Sequence, residues 1–353
     1  MSLVNTRLLA ARAAYPTLLD RDQLRKDQFG LIDVAVRANS NPNSIISAQV
    51  RQMLKDNWKS ANLQIPVMNR ATYTVTDGRS CNFSDLEANS ALVTPTYITK
   101  TTGFSMVPAS NMDNTIAYEQ EFRRLYEDAE RALAIQVEQA IYAALNTNKS
   151  AVYASPLVGA GLDYPLAGDA LQVSTALRTE FFNQYQAIAN ADEFYGNFDV
   201  IGTPVLKADV NKFINQGAGN NENQAYQFAG YNFSYSNYVT TTASARSTGF
   251  IMPAGSIALE SRLSPEEKAG METTKGLQWD NVTSELMPGM QIGIKYESDC
   301  HNAYDGGSGR SGVAGDTSSL KENWTLTVDF CILTPYNLNG ATLAGSIHKF
   351  DIL

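Results

Sequence analysis

One apolar stripe constrains this chain more than any other feature. Between Thr115 and Asn146, the residues Tyr118, Phe122, Leu125, Tyr126, Ala129, Leu133, Val137, Ala140, Ile141 and Ala144 recur at spacings of three and four, which lines them along one face of an α-helix. Asp113, Asn114 or Thr115 can cap its start, and Glu119 with Arg123 and Glu127 with Arg131 stand four apart with the acid on the favourable side. At 1.5 Å per residue, ~32 residues make a rod of about 48 Å, roughly three times the usual helix. A rod of that length serves as a spine. Its stripe lasts only about four heptads and is rich in Ala and Tyr, so packing on a sheet is expected in preference to a coiled coil.

The segments around the rod differ in kind. Residues 5 to 37 carry helically spaced apolar positions broken at Pro16 and Gly30, a partly helical arm. Ile45, Ile46, Val50, Met53, Leu54 and Trp58 predict a second helix over Ser44 to Trp58, after the turn-forming Asn39 to Asn43. From Leu63 to Pro108 the chain turns to Thr, Tyr, Val, Ile and Ser, which favour extended structure. Thr72 to Thr76 runs into Asp77-Gly78, a dipeptide suited to a tight hairpin turn. That sequence is too polar for a buried central pair, so a protruding hairpin that finds its partner on another molecule is expected.

Beyond the rod, Pro156 to Gly168 is a Gly/Pro-rich connector, and a helix is expected from about Asp169 to Ala191 on Leu171, Val173, Leu177, Phe181, Phe182, Tyr185 and Ile188. Phe198 to Gly202 reads as a buried strand, with a helix opening at Pro204. Tyr231 to Thr242 and Thr248 to Leu259 lean to β. Two strands close the chain by alternation: Ile292, Ile294 and Tyr296, then Trp324, Leu326, Val328, Phe330 and Ile332. Between them Asp305 to Ser319 is nearly all Gly, Ser, Asp and Arg, a surface loop.

Composition excludes some classes of function. Residues 1 to 60 hold nine Lys/Arg and five acids, a net of +4, against -9 for the whole chain, so the remainder carries -13. A basic segment ahead of an acidic body can touch a polyanion or an acidic neighbour, whereas the whole chain is a poor general nucleic-acid binder. Cys81, Cys300 and Cys331 are odd in number and far apart, fitting packing or surface thiols in a reduced cytoplasm. The start, Met1 to Arg7, lacks the pattern of a signal peptide, and no apolar run reaches the roughly 18 residues of a membrane span. A soluble protein made in a cytoplasm is expected.

No pattern supports catalysis. Gly307-Ser308-Gly309-Arg310-Ser311-Gly312 fits G-x-G-x-x-G, but Val313-Ala314-Gly315-Asp316 offers no helix to receive a phosphate. His301 and His348 are the only histidines; Cys300, His301, Asp299 and Asp305 draw a metal constellation without ligand spacing. Glu119, Glu121, Glu127, Asp128 and Glu130 interleave with Arg123, Arg124 and Arg131, reading as a salt-bridged face instead of an acid-base pair. Ser264-Pro265-Glu266-Glu267 reads as a helix start. No catalytic, cofactor-binding or metal residue is assigned.

The succession of broken arm, hairpin, very long helix, mixed lobe and final strand pair resembles tailed-bacteriophage major capsid proteins of the Hong Kong 97-type fold, over essentially the whole chain. Its most recognisable pieces are Thr115 to Asn146 as the spine helix, Phe198 to Pro204 as an axial-domain strand and helix start, and Phe250 to Leu259 as a late axial strand. The resemblance implies an α+β fold with an N-terminal arm at 1-60, an extended β-hairpin loop at 61-112, and a peripheral domain with the spine helix at 113-150. An axial domain at 151-262 and a return to the peripheral domain at 263-353 complete it. It implies an icosahedral shell of hexamers and pentamers around double-stranded DNA, touched non-specifically, with a portal, a separate scaffolding protein and decoration proteins as partners. Some members of the family cross-link a loop lysine to a distant asparagine; here the hairpin tip has Arg79, and the nearest lysine is Lys100. The alternatives are an encapsulin-like compartment holding a cargo enzyme and, from another class, an α+β metal-dependent enzyme built around His301.

Overall fold

A computed structural model describes residues 27–42, 44–56, 58, 63–68, 90–106, 118–216, 230–273, 277–300, 320–337 and 343–353. Among them, helices α1 (Gly30–Ser40) and α2 (Ala48–Asp56) precede strands β1 (Ile65–Met68), β2 (Ser90–Val93) and β3 (Tyr97–Met106). The spine helix α3 (Tyr118–Thr147) follows, then β4 (Leu166–Ala167), β5 (Ala170–Val173), α4 (Phe181–Ala191), β6 (Phe198–Gly202) and α5 (Pro204–Gln216). The remainder is β7 (Tyr231–Tyr235), β8 (Ser247–Pro253), β9 (Ala258–Arg262), α6 (Pro265–Ala269), β10 (Leu277–Thr283), β11 (Gln291–Cys300), β12 (Leu320–Leu333) and β13 (His348–Ile352). The anticipated capping residues Asp113 to Thr115, the turn at Asp77-Gly78, the arm before residue 27 and the loop at 305–319 lie outside the described residues.

Helix α3 has 30 residues and packs on a sheet, as its stripe predicts. Phe122, Tyr126, Leu133, Val137, Ile141 and Leu145 are buried along one side. The receiving face belongs to a five-stranded antiparallel sheet of order β10-β11-β12-β3, with β9 pairing the far end of β12. The two strands read from alternation pair with each other, Ile294 opposite Leu326 and Tyr296 opposite Trp324. Phe122 meets Trp324 edge-on, with ring centroids 4.8 Å apart, a geometry that adds to the burial of both rings.

A second, six-stranded mixed sheet has the order β4-β5-β13-β8-β6-β7. Its aromatic core, with Phe181, Phe182, Tyr185, Phe198 and Phe350, lies under α4 and α5. The other face of β8 turns to the spine, where Tyr142 meets Phe250 at 5.9 Å. One helix therefore braces both sheets: Phe122 touches the first, and Tyr142, about 30 Å further along the axis, touches the second.

Several expectations change. Phe250 to Leu259 is not one strand: β8 ends at Pro253 in the six-stranded sheet, and β9 starts at Ala258 and pairs with β12 in the five-stranded one. Leu171 and Val173 lie on β5, not on a helix: Ala170, Leu171 and Val173 are buried while Gln172 is half-buried, and β5 pairs in parallel with β13. Helical spacing from Leu171 to Leu177 is matched by chance, and the α-helix starts only at Phe181. The chain also does not end on the strand pair β11-β12. Its last strand, β13, crosses to the second sheet and sits between β5 and β8, because Phe350 and Ile352 find their apolar partners there. Arg131, set four residues after Glu127, bonds Asp27 instead, while Glu127 pairs with Arg123 at 2.7 Å.

Candidate assembly surface

Two acids of the spine, Glu130, which reads as part of a charged face, and Glu138, which the sequence did not single out, are buried connectors. Glu130 accepts from the Ser284 hydroxyl at 2.5 Å and from the backbone N–H of Glu285 at 2.7 Å and Leu286 at 3.2 Å. Glu138 accepts from Leu31 N–H at 2.9 Å and Ile32 N–H at 3.0 Å, and so caps the first turn of α1, whose own amides there lack helical partners. Burial pushes Glu138 up to about 7. The expectation of a salt-bridged exposed face holds for Glu127 and fails for Glu130, since each buried carboxylate is consumed by amides of a distant segment. Only the coincidence of Glu130 and Glu138 with the apolar stripe could have flagged them in the sequence.

The remaining candidates do not converge. Cys331 is buried, and burial raises its thiol to about 12. His348 is buried; its Nε2 lies 2.9 Å from Gly345 O and its Nδ1 2.9 Å from the Tyr185 hydroxyl, and burial lowers it to about 4. His301 and the glycine-rich run from Gly307 lie outside the described residues. Among the described residues no group of three His, Cys, Asp or Glu is placed to hold a metal, and no helix is long and apolar enough to cross a membrane. A cleft of about 240 Å³ between the α1–α2 connection and the loops at 195–197 and 253–256 is lined without a carboxylate, histidine or cysteine.

What stands apart is a ribbon. Strands β1 and β2 pair antiparallel, Ile65 opposite Val93 and Met68 opposite Ser90, and join neither larger sheet. Leu92 on it is 63% exposed. A lone two-stranded ribbon is at best marginally stable in water, and among the described residues this one pairs with no third strand.

The root of the ribbon, by contrast, is firmly held. Leu54 of α2 and Leu63 are buried with Ile46, Ala258 and Cys331. Glu260 of β9 faces Arg51 and Lys55 of α2 at 3.6 and 3.4 Å. Arg262, at the end of β9, bonds Asp329 of β12 at 2.5 Å and the Trp58 carbonyl at 2.9 Å. Its guanidinium carbon lies 4.7 Å from the centre of the Trp58 ring and 3.5 Å from that of Tyr97. The Tyr97 hydroxyl donates to Leu54 O at 2.7 Å.

No family model and no curated protein matches the sequence. Among solved structures, the chain is similar to one from Mycobacterium phage Che8, with a TM-score of 0.52 at 9% identity, over 96% of this chain and 95% of that one. A structure from Mycobacterium phage Adephagia matches at 0.50 and 12% over 100% and 98%, and one from Mycobacterium phage Cain at 0.50 and 14% over 100% and 98%. The chain therefore has an α+β fold shared along its whole length with structures from phages. It is the Hong Kong 97-type fold that the order of its elements resembles.

Proposed function

We propose that this protein is the major capsid protein of a tailed double-stranded DNA phage, a shell subunit that assembles into hexamers and pentamers and has no enzymatic role. The observation that carries the proposal is the β1–β2 ribbon, paired with itself and outside both larger sheets, on a body whose fold is shared end to end with structures from phages. Extended elements cost conformational entropy in a lone subunit and become favourable when each lies across a neighbour. The five-stranded sheet with α3 is then the peripheral domain, and the six-stranded sheet with α4 and α5 the axial domain. The net -13 outside residues 1 to 60 suits an inner wall that must not immobilise packaged DNA. The site of action is the virion, with assembly in the host cytoplasm beside a separate scaffolding protein, a portal and decoration proteins.

Electron microscopy of the purified protein, alone and with its scaffold, tests this. Closed icosahedral shells, or hexamers and pentamers, are expected, and a persistent monomer under all assembly conditions would refute the proposal. Deleting Arg70 to Asn82 is expected to leave a folded subunit that builds no stable shell. Shells that co-purify with an enzyme in place of a portal would point to the encapsulin-like alternative.

A further inference from the structure

Arg262 occupies an unusual position, touching both roots of the ribbon at once. Trp58 stands before β1, and Tyr97 opens β3 just after β2. The guanidinium lies between those two rings, while its edge bonds the Trp58 carbonyl and Asp329. Its side chain is 9% exposed and that of Asp329 7%. A guanidinium is planar and weakly hydrated, so it can stack on ring faces while its in-plane N–H groups bond carboxylate and carbonyl; an ammonium offers only a point charge. One further bond ties the same knot to α2, from the Tyr97 hydroxyl to Leu54 O.

We propose that Arg262 is the positioning residue of the ribbon: by clamping Trp58 and Tyr97 against β12, it fixes the direction in which the ribbon leaves the body, and so where it lands on an adjacent copy. Landing on an adjacent copy rests on the capsid reading above; the fixed direction does not. A stability role alone would need only the ion pair with Asp329. It gives no reason for one side chain to meet the chain on both sides of the ribbon.

The test uses full-length protein carrying Cys81→Ser and Cys300→Ser, with spin labels at Leu92→Cys on the ribbon and Glu127→Cys on the spine, both positions exposed. The label-to-label distance is read by pulsed electron resonance in dissociated subunits. A single narrow distance is expected with Arg262. Arg262→Lys is expected to lose that narrow peak while it keeps the charge. Arg262→Met combined with Asp329→Asn should lose it too without leaving a buried unpaired charge, and its shells should lose their uniform diameter. A narrow, unshifted distance in either variant, with an unfolding midpoint equal to the parent's, overturns the proposal. If the double variant does not fold, Arg262→Lys decides by the same criterion. If the parent builds no shells, the capsid reading fails while the distances still decide the clamp.

Discussion

The five-stranded sheet and the six-stranded sheet bury their polar groups in different ways. Around the first, buried acids are joined to partners far along the chain: Glu130 to residues 284–286, Glu138 to Leu31 and Ile32, and Asp329 to Arg262. Around the second, burial is dominated by rings, with Phe350 in contact with Phe181 at 5.1 Å and Phe182 at 6.2 Å, while Asp351 accepts from the hydroxyls of Thr242 at 3.0 Å and Thr248 at 2.6 Å. Charged connectors specify which loop or helix end docks where, since a misplaced one leaves a buried charge without a partner. Rings supply area and tolerate imprecision. The first sheet carries the ribbon and its root, where direction matters; the second has buried acids as well, Asp209 pairing with Arg246 at 3.0 Å, but its core is the richer in rings.

If rings hold the second sheet, removing one should cost more than any other change considered below. Phe350 is fully buried, and Phe350→Ala is expected to lower unfolding stability by about 3–5 kcal/mol, read as a shift in urea midpoint. A loss below about 1 kcal/mol would mean that the cluster collapses around the gap, and the contrast between the sheets would weaken.

Acid separates the two regions next, because His348 and Glu138 titrate in opposite senses. His348 falls from 6.5 to about 4 on folding, so the unfolded chain binds its proton more readily, and stability present above pH 6.5 is lost as pH falls toward 4. The groups around it do not reverse this. Asp192 Oδ2, 3.6 Å from Nε2, is too far for a hydrogen bond, burial raises its carboxyl, and burial likewise raises Tyr153 and Tyr185. Glu138 rises from 4.5 to about 7, so its contribution is full below about 4.5 and lost as pH rises through 7. At pH 5 the histidine cost is on the order of 2 kcal/mol. Hydrogen exchange should therefore show β13 losing protection between pH 7 and 5 while Leu31 and Ile32 gain it. A parallel change in both would sink the assignment of these two groups to separate regions.

The spine and the strands β11 and β12 were legible because each obeys one period over its whole length, and a face buried along a regular element leaves a regular trace; β6, buried at all five positions, was legible from its short run before the helix start at Pro204. Leu171 and Val173 misled because a four-residue strand is too short to distinguish a period of two from one of 3.6 once Leu177 and Phe181 follow. β13 left little trace because four of its five residues are buried, so no alternation of polar and apolar side chains survives, and its polar members His348 and Asp351 find partners only in the folded chain. The ribbon was legible only as part of the extended stretch from Leu63 to Pro108, since Ile65 to Met68 and Ser90 to Val93 are largely apolar and the polar Thr72 to Thr76 lies outside the described residues. Its root was not, because Trp58, Tyr97 and Arg262 carry no pattern among themselves and are brought together only by the pairing of β3 and β9 with β12.

The smallest effect expected is on the exposed side of the spine, where the same helix that buries Glu130 and Glu138 displays Arg123 and Glu127. Their ion pair is 2.7 Å long, one turn apart, with side chains 35% and 55% exposed. Water screens such a pair, and holding two long side chains in one geometry costs entropy, so the coupling should be only about 0.3–0.5 kcal/mol. A double-mutant cycle with Arg123→Ala and Glu127→Ala isolates that coupling from anything else either residue touches. It should vanish near 1 M salt, where the screening length is about 3 Å. A coupling above about 1 kcal/mol that survives salt would mean the exposed acids also join elements, and the division between buried connectors and solvated charges on this helix would have to be redrawn.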